Sequence, residues 1–397
     1  MTRWLLIFVL AITPLKATAP IRARMPAYTP ALQARVFDRA WSLVARHYWD
    51  RDRIDQSWME ARVHFRPLAI AAPDRPAFYT LLGEMLASLE DSHVYAIDPL
   101  QIAIGKARAA GQAMQGFGFT MLPDDEGRWL VQRVTAGSSA AKAAVEIGWE
   151  VRAIGGKPID IDYQPAEGEQ TSVDFLDEDG AAHSIVLAAA AELAEPSRSA
   201  RRLPGNILLV TLDGFDIGDD RWLARAIADG PPPAAIVLDL RDNGGGDADV
   251  LARIAGLFFF EDRPLVRRIE RRETIQKLHG ARERAYRGPL AILVGPASAS
   301  GAEALAALVD ESGRGTTIGE PTAGALTGAS EYRLPDGGQL SVAEFDIRTP
   351  GGQRLEGVGL RPRIAVKPSL ADRRAGRDPV LDRALRQVLP GQSATRR

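Results

Sequence analysis

Apolar residues fall at helical spacing in two early stretches of the chain. Val36, Ala40, Leu43, Val44 and Tyr48 form one set, and Phe78, Leu81, Leu82, Met85, Leu86 and Leu89 form the other. Both follow the i, i+3, i+4 repeat of helices that bury one face. Pro67, Pro73 and Pro76 mark the link between them. From residue 113 the period shortens. Trp129–Val134 and 173–176 alternate, and Gly137, Gly148, Gly155-Gly156 and 177–180 punctuate them, the pattern of a small β unit. An Ala/Glu-rich stretch at 188–196 reads as a linker. Beyond it, apolar runs at 206–212, 235–240 and 290–294 alternate with helical patterns at 220–228, 247–260 and 300–311. Such alternation predicts an α/β domain with a largely buried sheet. Pro379–Val388 reads as a last helix, followed by a frayed end.

Composition adds little to this picture, but the N-terminus adds more. A chain of 397 residues with 46% hydrophobic and 25% charged positions is an ordinary globular protein large enough for several domains. Its net charge of −2 gives no reason to expect nucleic acid or an anionic membrane surface as a partner. Arg3, the apolar run from Trp4 to Ile12 and Ala17-Thr18-Ala19 follow the order of a secretory signal peptide, and the run is too short to span a bilayer. A buried N-terminal helix is the alternative reading. The chain has no cysteine, which excludes disulfides, a thiol nucleophile and a thiolate metal site. No cofactor or metal site is evident. Lysine is scarce, at positions 16, 106, 142, 157, 277 and 367 only.

The chemistry concentrates where the strand Leu290–Val294 gives way to a helix. Ser300 sits at that junction among small neighbours, close to the free N–H groups and the positive end of the helix dipole. These are conditions that suit a serine nucleophile. The same residues, Ser300-Gly301-Ala302-Glu303, also fit a capping box, the commoner use of S-x-x-E, with Glu303 as capping partner. A second turn, Asp242-Asn243-Gly244-Gly245-Gly246, follows a buried run and lets backbone approach another group closely. A phosphate loop and a tight structural turn are the competing readings there, but no G-K-[ST] follows for the first.

Taken in order, residues 235–246, Ser298-Ala-Ser-Gly-Ala-Glu303, Gly319-Glu-Pro-Thr-Ala-Gly324, Leu334-Pro-Asp-Gly-Gly338 and the 349–362 segment resemble the S41 peptidases. That family contains the tail-specific or C-terminal processing proteases and their tricorn-core relatives. The resemblance implies a ClpP/crotonase-like ββα catalytic core in an α/β fold, with an N-terminal helical segment and an inserted PDZ-like β domain. It places the nucleophile on Ser300, not Ser298. Where Ser–Lys members carry their base, this chain has Ala325, and no lysine lies between Lys277 and Lys367. Either the enzyme is inactive or another residue takes the proton. Ser92-His93 resembles the Ser-His pair of the tricorn type, which implies a site of Ser300, His93, Ser92 and Glu356. Histidine has the ordinary pKa for base and then acid near neutrality. The resemblance further implies oxyanion donors at the N–H groups of Gly245 and Gly301, worth about 3–4 kcal/mol each when well aimed. Asp91 ranks below Glu356 as an orienting carboxylate. Thr322 lines the cleft or serves a turn, and Arg363 stands where the family often has Asp. His47, His64, His183 and His279 read as structural or solvent-facing.

Residues 115–158 resemble a PDZ domain, although Trp149 replaces an Asp common in that pattern. The resemblance implies capture of a peptide C-terminus by strand addition beside Gly116, Phe117, Gly118 and Phe119; a β unit that merely lids the site is the alternative. The expected domains are a signal peptide at 1–19, a helical domain at 20–110, the PDZ-like domain at 111–190, the catalytic core at 198–370, and a C-terminal helix and tail at 371–397. The expected function is an exported serine endopeptidase acting on protein or peptide substrates, with no nucleic acid and no membrane span after signal removal. A non-catalytic binder is the competing class, since the core also resembles retinoid-binding repeats.

Overall fold

The computed structural model describes residues 28–389, apart from 110–111, 125, 160–162, 164 and 193–196. The expected signal peptide lies outside the described residues. Helices Pro30–His47, Gln56–Ile70 and Arg75–Ala87 begin at side-chain caps on Thr29, Asp55 and Asp74. Their apolar faces, including Val36, Phe37, Leu43, Phe78, Leu82 and Met85, close on one another and on Leu334, Leu340 and Val342 from far along the chain. The helical segment is therefore seated on a sheet built mostly from the C-terminal half.

That sheet joins Tyr95–Ile97, Gln339–Arg348, Arg263–Ile269 and Glu273–Leu278 in order, with Thr327–Arg333 also paired to Gln339–Arg348. The short strand Tyr95–Ile97 runs antiparallel to it, with Tyr95 opposite Ser341. This pairing fixes the position of the turn just before it, residues 90–93.

A second sheet holds Ile364–Ala365, Thr316–Gly319, Leu290–Val294, Ala235–Asp239, Ile207–Leu212 and Arg198–Leu203. All neighbours are parallel except the edge pair of Arg198–Leu203 with Ile207–Leu212. Its apolar runs divide between two faces, as the two-residue period of a strand requires. Leu208, Val210 and Leu212 pack with Val250, Ile254, Ala302 and Leu305 of the helices Ala248–Gly256 and Gly301–Glu311. Ile207 and Leu209 pack with Val380, Ala384 and Val388. Pro379–Val388 thus covers the sheet's opposite face rather than trailing from it.

Between the helical segment and the parallel sheet, Phe119–Pro123, Trp129–Val134, Glu150–Ile154, Gln170–Leu176 and Ala182–Ala188 form a separate five-stranded antiparallel meander. Met114–Gly116 pairs with Ala190–Glu192 where the chain enters and leaves it. Part of the stretch read as a linker is therefore a strand. The pattern 247–260 shortens to a helix at 248–256, after which Phe258 and Phe259 are buried in the following turn.

Candidate active site

Ser300 is the N-cap of the helix Gly301–Glu311, with φ 53° and ψ −115°. A serine in that left-handed region is strained. Surrounding contacts hold it there. Its N–H donates to Ala325 O at 2.8 Å and to Glu303 Oε2 at 3.1 Å. Ser298 is fully buried, and its hydroxyl donates to Leu240 O at 2.7 Å and accepts from Gly295 N–H at 3.0 Å. It is a structural residue.

Glu303 is buried and accepts from Thr322 Oγ1, Gly324 N–H, Ala325 N–H and Ser300 N–H. Burial pushes its carboxyl up, against the pull of these donors. It organises the backbone around Ser300. Thr322 is spent in the same way, since its hydroxyl also accepts from Leu360 N–H at 2.7 Å. Arg363 pairs with Asp310 at 2.9 Å, at the C-terminal end of the helix.

The Gly-rich turn lies against Ser300. A methyl group on Gly245, whose φ is 99°, would stand 2.7 Å from Ser300 Cβ and 3.1 Å from Ser300 Oγ. Only glycine permits this approach. The two expected oxyanion donors differ in state. Gly301 N–H, first of its helix, donates to none of the described residues. Gly245 N–H donates to Asn243 Oδ1 at 2.8 Å, and Asn243 Nδ2 donates to Leu212 O at 2.9 Å. Gly245 therefore reaches an oxyanion only on leaving Asn243. Asn243 was not singled out in the sequence, although Asp-Asn-Gly after a buried strand is the signal for such a side-chain-to-backbone turn.

His93, Ser92 and Glu356 form a connected chain. Ser92 N–H donates to Glu356 Oε1 at 2.8 Å, Ser92 Oγ–H donates to Glu356 Oε2 at 3.0 Å, and Ser92 Oγ lies 2.8 Å from His93 Nδ1. A serine hydroxyl has one proton, and a carboxylate takes it. The proton between Ser92 and His93 then belongs to Nδ1, which donates to Oγ and leaves Nε2 as the free base. Burial lowers the His93 pKa, while the charges of Glu356 and Asp91 pull it up. His47 and His183 instead pair with Glu344 and Asp177, His279 with Asp262, and His64 stacks edge-on to Phe65.

Residues 324–327 join the two halves. Ala325 O holds Ser300 N–H, Leu326 N–H donates to Glu356 Oε2 at 2.7 Å, and Thr327 Oγ1 donates to Asp91 Oδ1 at 3.2 Å. Ala325, where the resemblance led us to look for a lysine, thus contributes only backbone. The hydroxyl of Ser300 and the ring of His93 are not hydrogen-bonded to each other here. Catalytic hydrogen bonds are often loose without substrate.

In the meander, Phe117 is buried against Tyr163 and Phe119 packs edge-on to Phe175. Among the described residues Phe119–Pro123 pairs on one side only, with Trp129–Val134. Of the residues expected beside a peptide C-terminus, Gly118 donates its N–H to Glu192 Oε1 at 2.6 Å. Among the described residues there is no cluster able to hold a metal ion, and no helix is long and apolar enough to cross a membrane.

Residues 206–366 match the model of peptidase family S41, and residues 31–87 match that of the tricorn protease C1 domain. The chain is 26% identical over 358 residues to a carboxyl-terminal-processing protease of Synechocystis, covering 84% of this chain and 80% of that one. It is 24% identical to tricorn protease homolog 1 of Streptomyces coelicolor, covering 94% of this chain but 37% of that one. Among solved structures, the photosystem II D1 C-terminal processing protease superposes with a TM-score of 0.59 at 22% identity, covering 85% and 94% of the two chains. Mature CPAF superposes with a TM-score of 0.63 at 12% identity, covering 92% and 98%. At these identities the structural likeness is one of fold.

Proposed function

Because the chain belongs to peptidase family S41 and is a serine-type peptidase, we propose that it is an endopeptidase of the Ser–His kind, acting through Ser300, His93, Ser92 and Glu356. The carrying observation is the hydrogen-bond chain Glu356–Ser92–His93, whose proton count leaves Nε2 unprotonated. Ser300 Oγ attacks the scissile carbonyl carbon as His93 Nε2 takes its proton. The oxyanion of the tetrahedral intermediate is met by Gly301 N–H, joined by Gly245 N–H on release from Asn243. Imidazolium then returns the proton to the leaving amine, and the acyl-enzyme on Ser300 is hydrolysed by water activated in the same way. No metal or cofactor enters these steps. Glu356, acting through the Ser92 hydroxyl, keeps the tautomer and stabilises the imidazolium.

Proteins or peptides are the substrates, and the enzyme is exported on its N-terminal apolar segment. The meander offers a free strand edge at Phe119–Pro123 beside Gly118, which supports docking of a peptide C-terminus there once Glu192 is displaced. The test is labelling by a fluorophosphonate probe alongside hydrolysis of an unfolded protein substrate. Labelling located on Ser300, with loss of hydrolysis in both Ser300→Ala and His93→Ala, is the expected result. Retained hydrolysis in either variant overturns the reading, and a wild-type protein that neither labels nor cleaves is a binder.

A further inference from the structure

Asp91 has more donors than its place beside the Ser-His pair requires. It is 9% exposed, and no arginine or lysine pairs with it among the described residues. Its Oδ1 accepts from His93 N–H at 3.0 Å and Thr327 Oγ1 at 3.2 Å. Its Oδ2 accepts from Tyr48 Oη at 3.3 Å and Trp49 Nε1 at 3.2 Å. These donors come from three places: the turn itself, the strand Thr327–Arg333, and the end of the helix Pro30–His47.

The two carboxylates divide one task. Glu356 takes the N–H of Ser92, and Asp91 takes the N–H of His93. Each also grips one of two adjacent residues, Leu326 and Thr327, on the segment whose Ala325 O holds Ser300 N–H. We propose that Asp91 is a positioning residue. It fixes the backbone of His93 relative to Ser300 and makes that placement depend on the seating of the N-terminal helices through Tyr48 and Trp49. It touches no reacting atom. A carboxylate suits this role because it accepts from four donors at once, whereas an amide must turn its NH₂ toward two of them.

The proposal rests on His93 as the base, so its test is made on a protein in which His93→Ala is already inactive. Charged and titratable groups around the turn are Glu90 on the turn itself, Tyr48, Asp50 and Arg53 at the end of the first helix, and Glu356, Asp346, Arg348 and Arg354 across the adjoining cavity. In Asp91→Asn these stay in place while one charge that raises the His93 pKa is removed.

The expected result is a fall in kcat of tenfold or more, KM within threefold, and an acid limb of kcat/KM displaced to lower pH. Thr327→Val, which removes one donor without a charge, lowers kcat several-fold at unchanged KM and thermal midpoint. If Asp91→Asn folds and both kcat and the acid limb are unmoved, or if its loss of activity comes with an unmoved limb and a fallen thermal midpoint, the residue is merely structural and the proposal fails. If Asp91→Asn does not fold, Thr327→Val decides alone, and wild-type kcat there overturns it. Activity in His93→Ala would instead overturn the choice of base.

Discussion

Replacing Glu356 with glutamine probes the site at the point where one proton decides its chemistry. Three donors converge on this carboxylate: Ser92 N–H, Ser92 Oγ–H and Leu326 N–H. Glutamine offers one carbonyl oxygen and one NH₂. Placed with its oxygen toward Ser92 Oγ and Leu326, it sets NH₂ against Ser92 N–H. Placed the other way, NH₂ donates to Ser92 Oγ, the hydroxyl turns to donate to His93 Nδ1, and the ring proton moves to Nε2. That tautomer is no base. The first arrangement loses a charge-assisted bond of about 1.5–3 kcal/mol, and a barrier raised by that amount slows the reaction about 10- to 150-fold. The second arrangement and the lost stabilisation of imidazolium add to it. We expect kcat/KM of Glu356→Gln to fall by about two orders of magnitude or more, with KM nearly unchanged. Because the carboxylate also raises the His93 pKa, the remaining activity should show an acid limb at lower pH than wild type. Steady-state hydrolysis of a fluorogenic peptide between pH 4.5 and 9 measures both. A variant within threefold of wild type, with the same pH profile, would refute the proton count.

Gly245→Ala places a methyl group 2.7 Å from Ser300 Cβ at a φ of 99°. Backbone strain of about 1–2 kcal/mol and a displaced nucleophile, for which about a hundredfold loss is typical per ångström, predict a collapse of fluorophosphonate labelling. Gly313→Ala, at φ 67° with open space around it, carries the strain without the clash and should keep its labelling rate. Burial lowers the pKa of His93, so the acid limb of wild-type kcat/KM should lie below the value of about 6.5 for a free imidazole. A limb above that value excludes this histidine as the base. The same depression means that the histidine's contribution to stability is full above its unfolded pKa and lost as pH falls through the folded one. Glu192→Ala, made on Ser300→Ala to prevent cleavage, frees Gly118 N–H. A labelled peptide with a free C-terminal carboxylate should bind it about tenfold or more tightly than the Glu192 protein, while its amidated form gains nothing. Equal gain for both peptides counts against a carboxylate site.

What the sequence made legible follows from where burial was complete. Leu290–Val294 is buried at every position, so its apolar run stands out, and the small residues after it expose the Ser300 junction. The Gly-rich turn was legible for the same reason. The antiparallel sheet under the N-terminal helices was not. Arg263–Ile269 and Glu273–Leu278 carry charges along half-exposed strands, and Gln339–Arg348 owes its burial to helices some three hundred residues earlier. A local window holds none of that information. The site divides along the same line. Ser300 is announced by its own neighbours, whereas the state of Gly245 N–H depends on how Asn243 turns, and the nest at Gly118 is filled by Glu192 from 74 residues away. The absence of a lysine at position 325 was plain from the sequence, and the resemblance pointed to His93 in its stead; how His93 is held was not legible. Only the fold brings Ser92 and Glu356, 264 positions apart, onto one proton, and Leu326, next to Ala325, adds a backbone donor to the same carboxylate. The segment where a lysine was looked for is thus a backbone support that ties Ser300 to Glu356. The backbone at 325 is committed at both ends, to Glu303 and to Ser300.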